Sequence, residues 1–261
     1  MSDSIVLAQD LPWPPKVDDF FLDGLFGLDN WLTKFTLMVW LAVIVLIVLF
    51  TRAMRKPALV PTRGQWFAES VYGFVRDSIG KEIIGKDAHR FVPYLTVLFC
   101  FVAFTNIYGI IPLAQISPNT HYAFPLTLAL ISYIMFNWVG IKKKGAARHF
   151  KDMIYLPDAP MWLQPLLIPI EFISNLVVRP VTLSVRLFAN MFAGHLILLV
   201  FTVGGFMLLG ADNFALKGVS VVSFLLAIAM TLFEAFVAIL QAYIFVLLSA
   251  TYIEGALAEE H

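Results

Sequence analysis

The sequence predicts an all-α membrane protein, and two observations carry this prediction. Hydrophobic residues make up 60% of the 261 residues and charged residues only 14%, whereas soluble domains are about half apolar and about a quarter charged. Several apolar runs also reach the roughly 20 residues that a helix needs to cross a bilayer. The zero net charge gives no bulk attraction to nucleic acid, and the single cysteine excludes an internal disulfide and a multi-cysteine metal site.

Five membrane helices and one interfacial helix are expected within a single membrane domain that covers residues 1–261. Residues 1–30 carry six aspartates and one lysine and are expected to form an external N-terminal segment. Within residues 64–84, Phe67 and Phe74 belong to an apolar stripe at helical spacing, which is typical of a helix lying in the membrane interface. A short soluble helix packed on the membrane domain explains this stripe equally well. The membrane helices are predicted at residues 31–50, 91–112, 122–141, 161–210 and 218–253.

Basic residues alternate between successive loops. Residues 51–92 carry eight lysines and arginines, and three lysines follow the third helix at residues 142–144, whereas the loop at residues 113–121 carries none. The positive-inside rule therefore places the basic loops in the cytoplasm, the N-terminus outside and the C-terminus in the cytoplasm.

The last two apolar runs are too long to stand upright in a bilayer. As helices, residues 161–210 and 218–253 would extend about 75 Å and about 54 Å, whereas the hydrocarbon core is about 30 Å thick. We expect a long, tilted antiparallel hairpin, in which Pro165, Pro169 and Pro180 are candidate breaks.

Arg186 is the residue of the hairpin whose placement in a bilayer costs the most free energy. Its apolar run contains only two other formal charges, Glu171 and Arg179, and no carboxylate lies close to Arg186 in sequence. A guanidinium within a bilayer is expensive and does not deprotonate. An ionisable residue in a membrane is therefore interpreted as a functional site whose partner must be sought.

The helical period sets the face and the level of the other polar residues of the hairpin relative to Arg186. Arg186 and Asn190 share a helix face at a spacing of four, whereas His195 points about half a turn away. On the second helix, Glu234 and Gln241 share a face, and an antiparallel alignment of Gln241 with Arg186 brings Glu234 near the level of His195. A His–Glu pair of this kind predicts either a proton relay or a structural contact between two helices, with equal weight.

The stretch RPVTLSVRLFANMFAGH at residues 179–195 resembles the signature of the membrane subunit a of the rotary F-type ATP synthase. The similarity covers about residues 30 to 255. Other segments that agree lie at residues 60–61, 74–77, 106–112, 140–145 and 240–245.

This resemblance implies a membrane subunit that conducts protons through two offset half-channels to and from the carboxylates of a c-ring, coupling proton flow to rotation and ATP synthesis. It implies the c-ring, the peripheral-stalk b subunits and the lipid bilayer as partners, and a bacterial cell membrane as the location. The chain is expected not to be an enzyme on its own and to hold no cofactor. The segment GKE at residues 80–82 lacks the glycine spacing and the Ser or Thr of a phosphate-binding loop, so no nucleotide site is expected.

The resemblance also implies roles for single residues. Arg186 matches the arginine that deprotonates the ring carboxylates and separates the half-channels, and Arg179 matches a frequently basic position with a structural or interfacial role. The other matches are Asn190 and Gln241 as polar neighbours of Arg186, His195 and Glu234 in the outer half-channel, and Glu171 and Ser174 in the inner half-channel.

Two other classes of protein fit the sequence less well. A secondary ion transporter needs repeated halves with paired broken helices, and the sequence has no such pairing. A passive structural membrane subunit has no reason to place Arg186 within an apolar run. Proton is favoured over sodium as the ion because His195 and Glu234 suit proton transfer.

Overall fold

The structure is a computed structural model that describes residues 33–55, 58–111, 117–155, 163–210 and 213–257. Within these ranges every regular element is a helix, and five helical stretches are long and apolar enough to cross a membrane. This confirms the predicted all-α membrane fold with five spanning helices. The helices are α1 (Lys34–Met54), α2 (Arg63–Val75), α3 (Ala88–Ile107), α4 (Ala123–Lys144), α5 (Ala146–Ile154), α6 (Gln164–Ile173), α7 (Arg179–Leu209) and α8 (Phe214–Leu257).

Some expectations fall on residues that lie outside the described ranges. These are the external N-terminal segment at residues 1–30, the first residues of the base-free loop and the residues after Leu257.

The stretch predicted as an interfacial helix begins at a capped end. The Thr62 hydroxyl accepts a hydrogen bond from the Gln65 backbone N–H at 3.3 Å, and α2 then passes into a π-helical segment, Arg76–Ile84. Gly85 ends that segment with φ +72°, a conformation that glycine adopts without steric cost. After one 3₁₀ turn at Gly85–Asp87, α3 begins at Ala88.

The run that carries Arg186 stays helical past its prolines. Pro169 lies inside α6, and Pro180 is the second residue of α7. Between them the helix changes to a π-helical segment, Ser174–Val178, and the helical path continues from Gln164 to Leu209. A π-helical turn bonds five residues back and is wider than an α turn, so it accommodates a ring that has no N–H to donate. The candidate proline breaks are therefore absorbed here without interrupting the helix.

The chain forms two compact units. The first unit comprises Met1–Ala42, Phe104–Thr120 and Ala189–Leu240, and the second comprises Val43–Ala103, His121–Phe188 and Gln241–His261. The second unit holds a hydrophobic core in which side chains of α3, α4, α7 and α8 are buried together. Its fully buried members include Leu95, Val102, Ala129, Leu187, Phe245 and Val246.

Candidate functional site

His195 and Glu234 form a buried pair in the first unit. Nδ1 of His195 on α7 lies 2.7 Å from Oε1 of Glu234 on α8, and each side chain is only 6% exposed. The distance is that of an ion pair, although the angles are not those of a hydrogen bond. Within the described residues, Nε2 of His195 is buried and has no hydrogen-bond partner. The structure therefore brings together the two residues that the sequence aligned by helix spacing.

Two glycines make room for this pair. A Cβ atom built on Gly109 would lie 2.4 Å from Cε1 of His195, and one built on Gly194 would lie 3.0 Å from Oε1 of Glu234. Cβ atoms do not occur as close as 2.4 Å to another heavy atom. A side chain at residue 109 would therefore displace the imidazole.

A buried network of amides and hydroxyls holds the turn that carries Gly109. The Asn106 side chain donates to the Ala238 carbonyl at 3.1 Å, one turn beyond Glu234, and its backbone carbonyl accepts from the Gly109 N–H. The Asn119 side chain donates to Oδ1 of Asn106 at 2.7 Å and to the Thr105 hydroxyl at 2.9 Å. These bonds fix the end of α3 beside the His–Glu pair.

Arg186 stands on the face of α7 that points away from the core of the second unit. Leu183 and Leu187 are buried, whereas Arg186 and its apolar neighbours Val181 and Val185 are exposed. This alternation follows from the helical period, because residues three to four apart share a face. Among the described residues, none forms a salt bridge with Arg186.

The two residues predicted as polar neighbours of Arg186 differ in burial. Asn190 is exposed on α7 in the first unit. Gln241 on α8 is 1% exposed and lies in the second unit. Their proximity to Arg186 stays a prediction.

A cavity of about 270 Å³ lies in the second unit, between α4, α5, α6, the second π segment and the end of α8. Glu171 lines it, and the Asn175 side chain donates to Oε2 of Glu171 at 3.1 Å and to the Met153 carbonyl at 2.6 Å. Arg179 also lines the cavity, with its guanidinium carbon 5.3 Å from the centre of the Tyr252 ring. The cavity is therefore polar and large enough for water.

The same cavity contains a buried histidine. Nε2 of His149 lies 3.2 Å from Oδ1 of Asn137, and a Cβ atom on Gly140 would lie 2.2 Å from the imidazole. Burial lowers the pKa of His149 below its ordinary value, and the Lys144 ammonium lowers this pKa further. The Asp152 carboxylate, 3.4 Å from Lys144, partly opposes both effects.

The two residues that the resemblance assigns to the inner half-channel are placed differently in the structure. Glu171 lines the cavity, but Ser174 is half-buried and is not among its described lining residues. Asn175 was not among the residues predicted from the sequence, although it follows Glu171 by four residues and precedes Arg179 by four. That spacing puts all three on one helix face and could have pointed to Asn175. His149 was not predicted either, because its contact with Gly140 has no sequence signal.

Fold and site together define a class of protein: an integral membrane protein that keeps ionisable side chains among apolar spanning helices. Comparison with known families then identifies the chain. A family model described as "ATP synthase A chain" matches residues 36–254, and the chain belongs to this family.

Relatives with curated names agree with the family match. The chain is 42% identical to the ATP synthase subunit a of Parafrankia sp. (strain EAN1pec), over 98% of this chain and 88% of that protein. It is 44% identical to the ATP synthase subunit a of Nocardioides sp., over 88% of this chain and 83% of that protein. It is 48% identical to the ATP synthase subunit a of Arthrobacter sp. (strain FB24), over 79% of this chain and 78% of that protein.

Family membership confirms the resemblance found in the sequence. The chain is a non-catalytic membrane subunit of an F-type ATP synthase, from a family whose function is to conduct protons through the membrane sector. Such a subunit works within a complex of several ATP synthase subunits.

Proposed function

We propose that Arg186 forces the carboxylates of a c-ring that passes over its face of α7 to give up their protons. The observation that carries this proposal is an exposed arginine among exposed valines, with no salt bridge among the described residues. Contact between a guanidinium and lipid chains costs free energy. A carboxylate on a partner surface supplies the missing counter-charge, and an apolar partner surface covers the valines.

Coulomb attraction gives Arg186 its function in this proposal. At 4 Å and an effective dielectric constant of 20, two opposite charges attract by about 4 kcal/mol before desolvation. That attraction lowers the pKa of a carboxylic acid by roughly 3 units. A protonated ring carboxyl that reaches Arg186 therefore ionises, and its proton leaves. The same fixed positive charge repels protons and keeps the two half-channels apart, with Asn190 and Gln241 as proposed polar neighbours.

His195 and Glu234 form the proton relay of the outer half-channel in this proposal. The 2.7 Å contact brings a proton donor and an acceptor within transfer distance. The buried Nε2 of His195, which has no hydrogen-bond partner among the described residues, provides a second position for a proton.

Glu171 belongs to the inner half-channel in this proposal, and Ser174 is a weaker member. Support for Glu171 comes from the cavity that it lines, which also contains Asp152 and His149. Several proton acceptors around one cavity suit the collection or release of protons at an aqueous mouth. Asn175 orients the Glu171 carboxylate through its 3.1 Å hydrogen bond.

Replacing Glu171 with glutamine is expected to slow proton flux about tenfold, because a positioned proton acceptor accelerates transfer by about 100-fold or more and other groups of the cavity replace part of its effect. The measurement is proton flux through the complete complex in vesicles, driven by an imposed proton gradient. The matched control is Glu82→Gln, since Glu82 is an exposed carboxylate outside the cavity. Equal flux in the two variants would remove Glu171 from the proton path.

The finer assignment of partners and orientation is also part of the proposal. The c-ring and the peripheral-stalk b subunits are the proposed partners, and a bacterial cell membrane is the proposed location. The three lysines at residues 142–144 face the cytoplasm, together with the C-terminus, and the N-terminus lies outside. The distribution of basic loops supports this orientation.

A cysteine introduced at Asn213 is expected to react with a membrane-impermeant thiol reagent in intact cells, because Asn213 is exposed just before α8 in the link assigned to the outside. Ala147→Cys on α5 is the matched control and should react only in inverted vesicles. The parent chain gives the background, since its Cys100 is buried. Labelling of residue 213 only from the cytoplasmic side would reverse the orientation.

A further inference from the structure

A second cavity of about 440 Å³ lies in the second unit, where α3 begins and where α4 and α8 end. It is separate from the cavity around Glu171, because the two have no lining residue in common. Among the described lining residues, three side chains are cationic, Arg90, Lys142 and Lys143, and one is a carboxylate, Asp87. Cationic side chains therefore outnumber carboxylates in the described lining, which favours an anion.

The cations are held at different points of the rim. Arg90 projects from the first turn of α3, and Lys142 from the last turn of α4, and both are exposed. Nζ of Lys143 donates to the Leu257 carbonyl at 2.7 Å, which ties the end of α4 to the end of α8. Donors from two helices thus converge on one cavity, as in sites that bind an oxyanion between separate positive groups.

The remaining wall of the cavity is apolar. Trp138 is 64% exposed although it is the largest apolar side chain of the lining, and Met135 and Phe91 lie beside it. Trp138 precedes Lys142 by four residues, so both lie on the same face of α4. Exposed tryptophan next to basic residues is typical of the level of lipid headgroups. The cavity is therefore amphipathic, with a cationic end and an apolar end.

We propose that this cavity binds the headgroup of an anionic phospholipid, with the phosphodiester between Arg90 and Lys142 and an acyl chain along Trp138 and Met135. Basic pockets between membrane helices bind anionic headgroups through such charge pairing. A free phosphate satisfies the cations but leaves the apolar wall exposed, whereas a phospholipid satisfies both. The proposal needs only that the protein is embedded in a bilayer, and it does not depend on the proposed proton path.

The test uses the complete complex in phosphatidylcholine vesicles and a phosphatidylglycerol that carries a photoreactive acyl chain. Labelling of Met135 and Trp138 is titrated against the amount of this lipid, with the exposed Trp40 of α1 as a site of ordinary lipid contact. Each basic side chain near a membrane surface strengthens attraction to anionic lipid about fivefold. Arg90→Gln with Lys142→Gln should therefore raise the half-saturation point about 25-fold without changing the labelling of Trp40.

Two further double variants separate charge from structure. Arg90→Lys with Lys142→Arg keeps both charges and should retain the labelling. Arg63→Gln with Arg148→Gln removes two exposed charges outside the cavity and should leave the half-saturation point unchanged. The proposal is overturned if this control weakens labelling as much as the cavity variant, or if labelled phosphatidylcholine saturates Met135 and Trp138 equally well. It is also overturned if inorganic phosphate displaces the lipid completely, since the cavity would then be a site for free anions.

Discussion

Replacing Arg186 with alanine is expected to abolish ATP synthesis driven by a proton gradient, while the complex still assembles. The charge that forces ring carboxylates to ionise is removed, so their pKa returns by roughly 3 units toward that of an unpaired acid. Folding should change little, because Arg186 is exposed on α7 and makes no salt bridge with any described residue. The measurement is gradient-driven synthesis in vesicles that contain equal amounts of complex.

Passive proton flux distinguishes this mechanism from a loss of structure. Arg186→Ala should leak protons, because no fixed positive charge separates the half-channels. Arg186→Lys should also lose synthesis, since an ammonium in an apolar environment can give up its proton. The matched control is Val185→Ala, an exposed neighbour without charge, which should keep normal synthesis. Near-normal synthesis by the alanine variant at residue 186 would contradict the proposed mechanism.

Much of the fold could be predicted because membrane burial leaves a strong sequence signal. Each spanning helix is long and apolar, so composition and length alone predicted the five spans that the structure contains. The His195–Glu234 contact was predictable for a related reason. Two long antiparallel helices have a fixed rise per residue, so one aligned pair sets the level of the others.

The helical run that carries Arg186 could be predicted only in part. Pro169 and Pro180 gave the expectation of a break, but the π segment Ser174–Val178 keeps the chain helical. A π turn adds one residue to the turn, so it changes which side chains share a face. Local sequence gives no measure of this change, so the continuous helix was not predicted. The contact between Asn175 and Glu171 in the cavity, by contrast, agrees with their spacing of four residues.

Contacts that depend on a missing side chain or on a buried amide could not be predicted. Gly109 matters because His195 occupies the space where its side chain would be, and Gly140 has the same relation to His149. In both cases a missing side chain on one segment makes room for an imidazole from another. Hydropathy and helical period carry no information on such pairs. The buried Asn106–Asn119 bond is of the same kind, since it joins α3 to the loop after it.

Replacing Glu234 with glutamine is expected to slow proton flow about a hundredfold, because the outer relay loses the group that accepts and returns a proton. Glutamine has nearly the same size, so the packing against Gly194, where a Cβ atom would lie 3.0 Å from the carboxylate, should persist. Exchanging the pair, by His195→Glu with Glu234→His, should bring flow to within about tenfold of the parent, since the donor and the acceptor both remain. The measurement is gradient-driven proton flux in vesicles at equal complex content.

The comparison of single and double variants decides between relay and structural contact. In a relay, Glu234→Gln leaves the imidazole without its carboxylate and His195→Glu leaves two carboxylates, whereas the exchange restores one imidazole and one carboxylate. In a structural contact, Glu234→Gln should retain flow, because glutamine has nearly the same shape and keeps an acceptor oxygen beside the imidazole. The exchange should not restore the full proton flow, because the space beside Gly109 fits an imidazole at residue 195 and not a carboxylate. A double variant that conducts no better than His195→Glu or Glu234→Gln alone would therefore remove the support for a relay. The control is Gly109→Ala, which displaces His195 without removing a titratable group. The conclusion requires that this control slows proton flow less than Glu234→Gln does.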